Sequence, residues 1–272
     1  QLRPTGAKMI FIESICDDAE MVRRNILMSK VTGPSCKDYK GVDPSIAFKD
    51  FEERIRNYDA VYQPLNESEK HLAWIKLLDG GRELSMNNIR GFLPSRIAQF
   101  LVNLHVQRRS FFFSRHGQSE YNRLGKIGGD SELTEHGEQY ARALGEWATK
   151  HIQHDEEGNP VPARLWTSTL RRTRMTARYI GHPTVQIQGV EWVQMRPKAF
   201  RNLDELYAGM CDGMTYDEVE EAFPDEAAAR DADKFQYRYP RGESYTDLIA
   251  RLEPLAHELE RLREPILVIA HQ

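Results

Sequence analysis

Two apolar runs that each end on a histidine constrain this chain more than any other feature. Ser110-Phe111-Phe112-Phe113-Ser114 opens directly into Arg115-His116-Gly117, and Pro265-Ile266-Leu267-Val268-Ile269-Ala270 opens into His271. Short apolar runs with polar flanks read as strands buried on both faces, the character of a parallel sheet. Such a sheet takes its ligands at the carboxyl ends of its strands, so both histidines are predicted on one lip. A neutral imidazole attacks phosphorus well when one nitrogen is free and the other is fixed by an acceptor. The pair therefore points to phosphoryl transfer through a phosphohistidine.

The rest of the second half alternates strand and helix. Thr134 is predicted to cap a helix with Tyr140, Leu144 and Trp147 on its buried face. Arg164-Leu165-Trp166 reads as a strand and 171–180 as a helix. Leu248, Ile249, Leu252, Leu255, Leu259 and Leu262 form an apolar stripe, with Pro254 inside it as a predicted kink. Strands separated by helices argue for a sheet covered on both faces.

The first half is less regular. Lys8-Met9-Ile10-Phe11-Ile12 reads as a short buried strand, and Asp17-Asp18 as a helix start. A polar connection follows over 32–43. Asp43-Pro44 then opens a helix with Ala47, Phe48, Phe51, Ile55 and Tyr58 on one face. Residues 74–78 and 82–86 flank Asp79-Gly80-Gly81 as a hairpin. Ile97, Phe100, Leu101 and Leu104 mark another amphipathic helix. A lone strand, a few helices and a hairpin make no obvious sheet, so this part reads as the tail of a larger domain. The polar hinge Gln107-Arg108-Arg109 sets the predicted division into 1–107 and 108–272.

Composition excludes several classes of function. The 272 residues are 40% hydrophobic and 29% charged, with a formal net charge of −4. No extended basic run supports nucleic acid binding, and no stretch approaches the ~20 apolar residues of a membrane span. No secretory leader is read at the start. Cys16, Cys36 and Cys211 form no CxxC, which suggests neither a disulfide framework nor a zinc site and fits a reducing cytoplasm. His151 and His154 have helical spacing but acidic neighbours, so they read as a solvated helix end; no metal site is expected.

The net negative charge matters little to an anionic ligand, because the Debye length at physiological salt is ~8 Å and local cations decide. Arg115 beside His116 can hold two phosphate oxygens at once. Thr167-Ser168 followed by Leu170-Arg171-Arg172-Thr173 repeats the arrangement of strand, polar turn and cationic helix start, a place that favours anions. Taken alone, Glu205 in Asn202-Leu203-Asp204-Glu205-Leu206 reads as surface charge. His136-Gly137 lacks the preceding strand and arginine, and reads as a helical residue rather than a second nucleophile.

Together, Arg-His-Gly after one strand, Thr-Ser-x-Leu-x-Arg-Thr after the next and Ala-His after the last resemble the histidine phosphatase (phosphoglycerate mutase-like) superfamily. Tyr121-Asn122, Gly125-Lys126-Ile127-Gly128-Gly129-Asp130, Asp204-Glu205, Ala208-Gly209, Met214-Thr215-Tyr216 and the run 237–245 resemble, within it, the 6-phosphofructo-2-kinase/fructose-2,6-bisphosphatase family. Phe11-Ile12-Glu13-Ser14 with Cys16-Asp17-Asp18, and Tyr58 through Tyr62-Gln63-Pro64-Leu65, resemble the end of that family's kinase domain.

The resemblance implies an α/β protein. A three-layer αβα phosphoglycerate mutase-like domain over 108–272, lacking its C-terminal end, follows the C-terminal part of a P-loop kinase-like domain over 1–107. It implies hydrolysis of the 2-phosphate of fructose 2,6-bisphosphate, a sugar bisphosphate, in a parent that also makes this compound from fructose 6-phosphate and ATP. His116 would be the nucleophile, His271 would stabilise the phosphoryl group, and Glu205 would be the general acid. Arg115, Asn122 and Arg172 would hold the transferred phosphoryl group. Gly128, Tyr216, Arg230, Lys234, Tyr245 and Gln272 would hold the fructose 6-phosphate portion, with Arg230 and Lys234 at helical spacing. Lys30, Arg54 and Tyr58 match positions near the kinase substrates.

The phosphatase would need no cofactor, and ATP with Mg would serve only the parent's kinase. No Gly-x-x-x-x-Gly-Lys-Ser/Thr loop is present in this sequence, so kinase activity is not expected of this chain alone. Gln118 stands where the family has an acid. A broader phosphatase or mutase, and a non-catalytic regulatory fragment, stay open as alternatives, as does assembly into a homo-oligomer.

Overall fold

The computed structural model describes residues 9–31, 39, 41–104 and 109–272. Lys8, Cys36, most of the 32–43 connection and the hinge residues Gln107 and Arg108 lie outside them. The chain divides into two compact units, Gln1–Gln107 and Arg108–Gln272.

In the first unit, β1 (Phe11–Ile15) runs parallel to β2 (Trp74–Leu78), which pairs antiparallel with β3 (Glu83–Asn87). The strand expected to stand alone is thus one edge of a three-stranded sheet. It also starts later than the apolar pattern suggests, and its buried residue is Glu13, while Phe11 and Ile12 are exposed. A buried carboxylate must be paired. Glu13 accepts from the Tyr62 hydroxyl at 2.6 Å and the Leu65 amide at 3.0 Å, and lies 3.2 Å from Lys76 Nζ. These partners hold its carboxyl below the usual carboxylate range against the opposing effect of burial.

The helices of this unit begin where the acidic caps predict. α1 (Ala19–Ile26) is capped by Asp18, and α2 (Pro44–Asp59) by Asp43. The hairpin turn passes through the left-handed region at Asp79, Gly80 and Gly81, and the buried Asp79 carboxylate ties it to the amides of Asp17 and Asp18. Two predicted faces fall short. Tyr58 is exposed on α2, and Phe100 and Leu104 are exposed at α3 (Phe92–Val102), whose buried residue is Ala98.

The second unit is built on four parallel strands in the order β4-β9-β5-β8. Along the chain come β4 (Phe111–Arg115), α4 (Glu120–Arg123), α5 (Glu135–His151), β5 (Arg164–Thr167) and α6 (Arg171–Ala177). A separate antiparallel pair follows, β6 (Thr184–Ile187) with β7 (Val190–Val193). The chain then forms β8 (Pro197–Ala199), α7 (Tyr216–Ala222), α8 (Pro224–Ala232), α9 (Tyr245–Arg261) and β9 (Ile266–Ala270).

Alternation along β9 makes the three layers. Leu267 and Ile269 pack with Leu144, Ala148 and Ile152 at α5 and Ala177 of α6. Ile266 and Val268 pack with Trp166, Leu255 and Leu262 on the α9 side. α9 continues through Pro254, and its stripe faces inward except at Ile249.

The buried face of α5 differs from the expected one. It consists of Gly137, Ala141, Leu144, Gly145 and Ala148, while Tyr140 and Trp147 remain partly exposed. Small residues win because the backbone comes close. A Cβ on Gly117 would sit 2.5 Å from the Gly137 carbonyl oxygen, and one on Gly137 would sit 2.2 Å from that of Gln118. Both obstacles are backbone, one in α5 and one in the loop that carries His116. Gly137→Ala is therefore expected to lower stability by about 1–3 kcal/mol, read as a lower denaturant midpoint with an unchanged slope.

Candidate active site

In-register parallel pairing brings three strand ends together. Arg115 lies opposite Ala270, and Thr167 opposite Ile269. One residue further on, the His116 amide bonds to the Ala270 carbonyl at 3.1 Å and the Ser168 amide to the Ile269 carbonyl at 3.3 Å. The rings of His116 and His271 consequently lie 5.1 Å apart.

Hydrogen bonding fixes the His116 tautomer. Nδ1 is 2.7 Å from the Gly117 carbonyl oxygen, which can only accept, so Nδ1 carries the hydrogen and Nε2 keeps its lone pair. Arg172 Nε approaches Nε2 at 3.1 Å. Burial pushes the imidazole down to about 4, aided by the charges of Arg172 and Arg115. Nε2 is therefore unprotonated at neutral pH.

Arg172 is 3% exposed and reaches the Gly129 carbonyl oxygen at 2.6 Å. Arg115 is exposed beside it. Asn122 belongs to the capping box that starts α4. Its Oδ1 accepts from the Ser119 amide at 3.1 Å, which leaves its amide hydrogens for an anion.

His271 is turned by Ser168, whose Oγ lies 2.8 Å from Nε2. Nδ1 then faces Glu205 Oε2 at 3.7 Å. Burial pushes His271 down to about 2, and the neighbouring Arg172 adds to the effect. Burial moves Glu205 the other way, above the usual carboxylate range. Two neutral imidazoles beside a carboxyl that holds its proton to higher pH form an acid/nucleophile arrangement.

Glu205 is not the surface charge that its local sequence suggests. Arg251 reaches back from α9 to the carbonyl oxygens of Asn202 at 2.6 Å, Asp204 at 2.8 Å and Glu205 at 3.1 Å. Asp204 in turn accepts from the Thr169 amide at 2.7 Å. These bonds press the segment against the sheet end.

A cavity of about 1040 Å³ opens here. It is lined by Arg115, His116, Asn122, Gly128, Arg172, Glu205 and Gln272, and also by Tyr216, Arg230, Lys234 and Tyr245. His271 stands behind this lining, against His116. Arg230 donates to the Tyr239 hydroxyl at 2.9 Å and stacks over the Tyr216 ring, 4.9 Å from its centroid. Lys234 lies 6.0 Å from the centroid of the Tyr245 ring. The helical spacing expected of Arg230 and Lys234 does not hold, because α8 ends at Ala232 and Lys234 sits in the following turn. The turn still brings both cations to one cavity.

Several lining residues were given no site role from the sequence: Gln118, Lys126, His136, Tyr140, Tyr237 and Tyr239. His136 does sit in the first turn of α5, yet it lines the cavity. Only the closeness of α5 to the His116 loop reveals that. Gln118 is bound through its side-chain oxygen to the Thr134 hydroxyl at 2.9 Å. Tyr239 carried a signal in the 237–245 run but no role. His154 binds the Thr149 carbonyl oxygen at 2.9 Å, and the His151 ring lies 5.2 Å from that of Trp147.

In the first unit, Lys30 and Arg54 both approach the Phe51 ring, at 5.8 and 5.5 Å. Arg54 also donates to the Tyr39 hydroxyl at 3.2 Å. Tyr58 follows one turn later and is exposed.

Residues 1–108 match the 6-phosphofructo-2-kinase family, and residues 111–272 match the histidine phosphatase superfamily (branch 1). A 6-phosphofructo-2-kinase/fructose-2,6-bisphosphatase from Gallus gallus is 42% identical over 99% of this chain and 53% of its own length. One from Arabidopsis thaliana is 42% identical over 97% of this chain and 33% of its own length. A 6-phosphofructo-2-kinase/fructose-2,6-bisphosphatase 1 from Rattus norvegicus is 42% identical over 98% and 52%. The chain thus spans about half or less of the length of these curated relatives. Two motif sets in the same order, over nearly every residue, place the chain in the histidine phosphatase superfamily and, within it, in the 6-phosphofructo-2-kinase/fructose-2,6-bisphosphatase family.

Proposed function

We propose that the second unit hydrolyses the 2-phosphate of fructose 2,6-bisphosphate through a phosphohistidine at His116. The observation that carries this reading is the buried, unprotonated Nε2 of His116, which accepts from Arg172 Nε and faces His271, in a cavity shared with the Arg230/Lys234 pair. One anion site selects the reacting phosphoryl group. The other supplies a counter-charge for a second phosphate, which a phosphatase of broad specificity would not need.

In the first step the Nε2 lone pair forms a bond to phosphorus. The P–O bond to C2 breaks with its electron pair on the sugar oxygen, and Glu205 gives that oxygen its proton. Arg115, Asn122 and Arg172 hold the phosphoryl oxygens while His271 faces them. In the second step Glu205, now a carboxylate, takes a proton from water as the water oxygen attacks phosphorus. The P–N bond breaks and its electron pair returns to Nε2. Nδ1 keeps its hydrogen and donates it to the Gly117 carbonyl oxygen throughout, so the ring keeps its orientation.

Gly128, Tyr216, Arg230, Lys234, Tyr245 and Gln272 are assigned to the fructose 6-phosphate portion. Lys30, Arg54 and Tyr58 are assigned to the substrate side of the kinase, whose reaction takes ATP and Mg. This sequence has no glycine-lysine phosphate loop, so no ATP step is assigned to its residues. We place the protein in the cytoplasm on its cysteine usage. No helix among the described residues is long and apolar enough to cross a membrane.

Incubation with substrate labelled at the 2-phosphate is expected to give acid-labile label on the protein and free labelled phosphate. His116→Ala should abolish the label and lower turnover by roughly 10³-fold or more. Retention of wild-type turnover by that variant would remove His116 from the reaction.

The pH profile follows from the two opposed shifts. His116 must be neutral, so the acid limb lies near pH 4. Glu205 must begin protonated, so kcat/KM falls as pH rises through its raised value. Glu205→Gln should cost on the order of 10²–10⁴-fold and remove the part of the alkaline limb that is not due to substrate ionisation.

Arg230→Gln tests the second anion site. It should raise KM for the bisphosphate by about 10- to 100-fold, the worth of one charged hydrogen bond. KM for fructose 2-phosphate should stay unchanged.

A further inference from the structure

We propose that Thr173 and Ser168 form a hydroxyl chain that fixes His271 as the tautomer protonated at Nε2, leaving Nδ1 a bare acceptor aimed at the reacting phosphoryl group. The inference rests on the phosphohistidine reading only for what Nδ1 meets.

The hydrogens can be counted. Both hydroxyl residues are fully buried, so water does not complete their bonding. Ser168 Oγ accepts from the Leu170 amide at 3.2 Å, and lies 2.9 Å from Thr173 Oγ1 and 2.8 Å from His271 Nε2. A hydroxyl has one hydrogen and two lone pairs. One hydrogen and one lone pair therefore remain on Ser168 for Thr173 and His271 to divide.

Thr173 decides the division. Its Oγ1 lies 2.9 Å from the Leu170 carbonyl oxygen and 3.1 Å from that of Ser168. Both are acceptors only, so the Thr173 hydrogen must point at one of them. Were it to point at Ser168 instead, lone pairs would face lone pairs across both short contacts. Ser168 then donates to Thr173, and its remaining lone pair receives Nε2–H of His271. Every hydrogen in the chain has an acceptor.

Nδ1 of His271 is left bare. It is buried without a hydrogen-bond partner and faces Glu205 across 3.7 Å. An unpartnered polar atom deep in a site is costly unless a ligand completes it. A phosphate monoester has its second ionisation near ~6, so a phosphoryl monoanion brings a P–O–H. That P–O–H donates a hydrogen bond to the Nδ1 lone pair, while Nε2–H remains on Ser168. Glu205 keeps its own proton for the C2 oxygen. Thr173 and Ser168 are thus positioning residues, acting through His271.

The test is ¹⁵N NMR of the full chain labelled at histidine, with kinetics on the same variants. Wild-type His271 is expected to show a protonated Nε2 and a bare Nδ1. Thr173→Val removes the acceptor of the Ser168 hydrogen, which then turns to Nε2 and moves the His271 proton to Nδ1. Its kcat should fall about 10- to 100-fold, the range seen when an imidazole loses its orienting partner, with KM within about twofold. Thr173→Ser keeps the hydroxyl and should restore the wild-type spectrum and kcat. Ser168→Ala leaves Thr173 untouched and should give a mixture of His271 tautomers. Unchanged His116 signals check that each variant is folded. A wild-type His271 protonated at Nδ1, or an unchanged His271 spectrum in Thr173→Val and Ser168→Ala, overturns the inference. Absence of phosphohistidine in the wild type would instead remove the proposed reaction, and the spectra would still read the hydroxyl chain.

Discussion

The register of β9 between β4 and β5 is the constraint on which the rest depends. Its backbone bonds set the two histidines side by side, and the same pairing delivers Ser168 to His271. A slip of one residue would exchange the two faces of the strand. Leu267 and Ile269 would then meet α9, and Ile266 and Val268 would meet α5. Because β9 is buried on both sides, such a slip would disturb two cores at once. Packing therefore enforces the register that sets the geometry of the site.

Burial does the remaining tuning. Arg172 is a nearly inaccessible cation whose hydrogen bonds go to neutral acceptors, a carbonyl oxygen and an imidazole. A buried charge with only neutral partners is an expensive arrangement. Burial keeps its neighbours neutral: both histidines lose basicity, which the Arg172 charge reinforces, and Glu205 gains it against the pull of that charge. An arriving phosphoryl group thus meets a buried cation at the cavity wall, where attraction is stronger than in water.

What was legible in the sequence follows from how local each signal is. The two histidine strands, the caps at Asp18, Asp43 and Thr134, and the Asp79-Gly80-Gly81 hairpin are written in consecutive residues, and each reappears in the structure, although β4 ends the sheet with Phe113 exposed and is not buried on both faces. Faces defined by distant partners were read less well. Tyr140 and Trp147 looked like core on periodicity, but close backbone approach gives that place to glycine and alanine. β1 looked apolar inside, yet its buried side chain is Glu13, because Tyr62, Leu65 and Lys76 are gathered around it from elsewhere in the chain. Glu205 reads as ordinary surface charge until Arg251 is seen holding its backbone. The resemblance supplied its role, and only the tertiary contacts supply a reason.

The pairing of β9 with strands that precede it by about a hundred residues or more has a consequence for how the protein comes into being. Ser168 and His271 are 103 residues apart, and Phe111 pairs with Ile266. Contacts of such high order form late and slowly. β4 and β5 cannot pair with each other in the final sheet, since β9 lies between them, so they wait with unfilled edges until it arrives. During synthesis, the chain would display His116 on an incomplete sheet for most of the time its second unit takes to emerge. An unpaired, apolar β4 edge is a place where chains associate wrongly. The strand that completes the site also closes the edges of β4 and β5 that face each other across it.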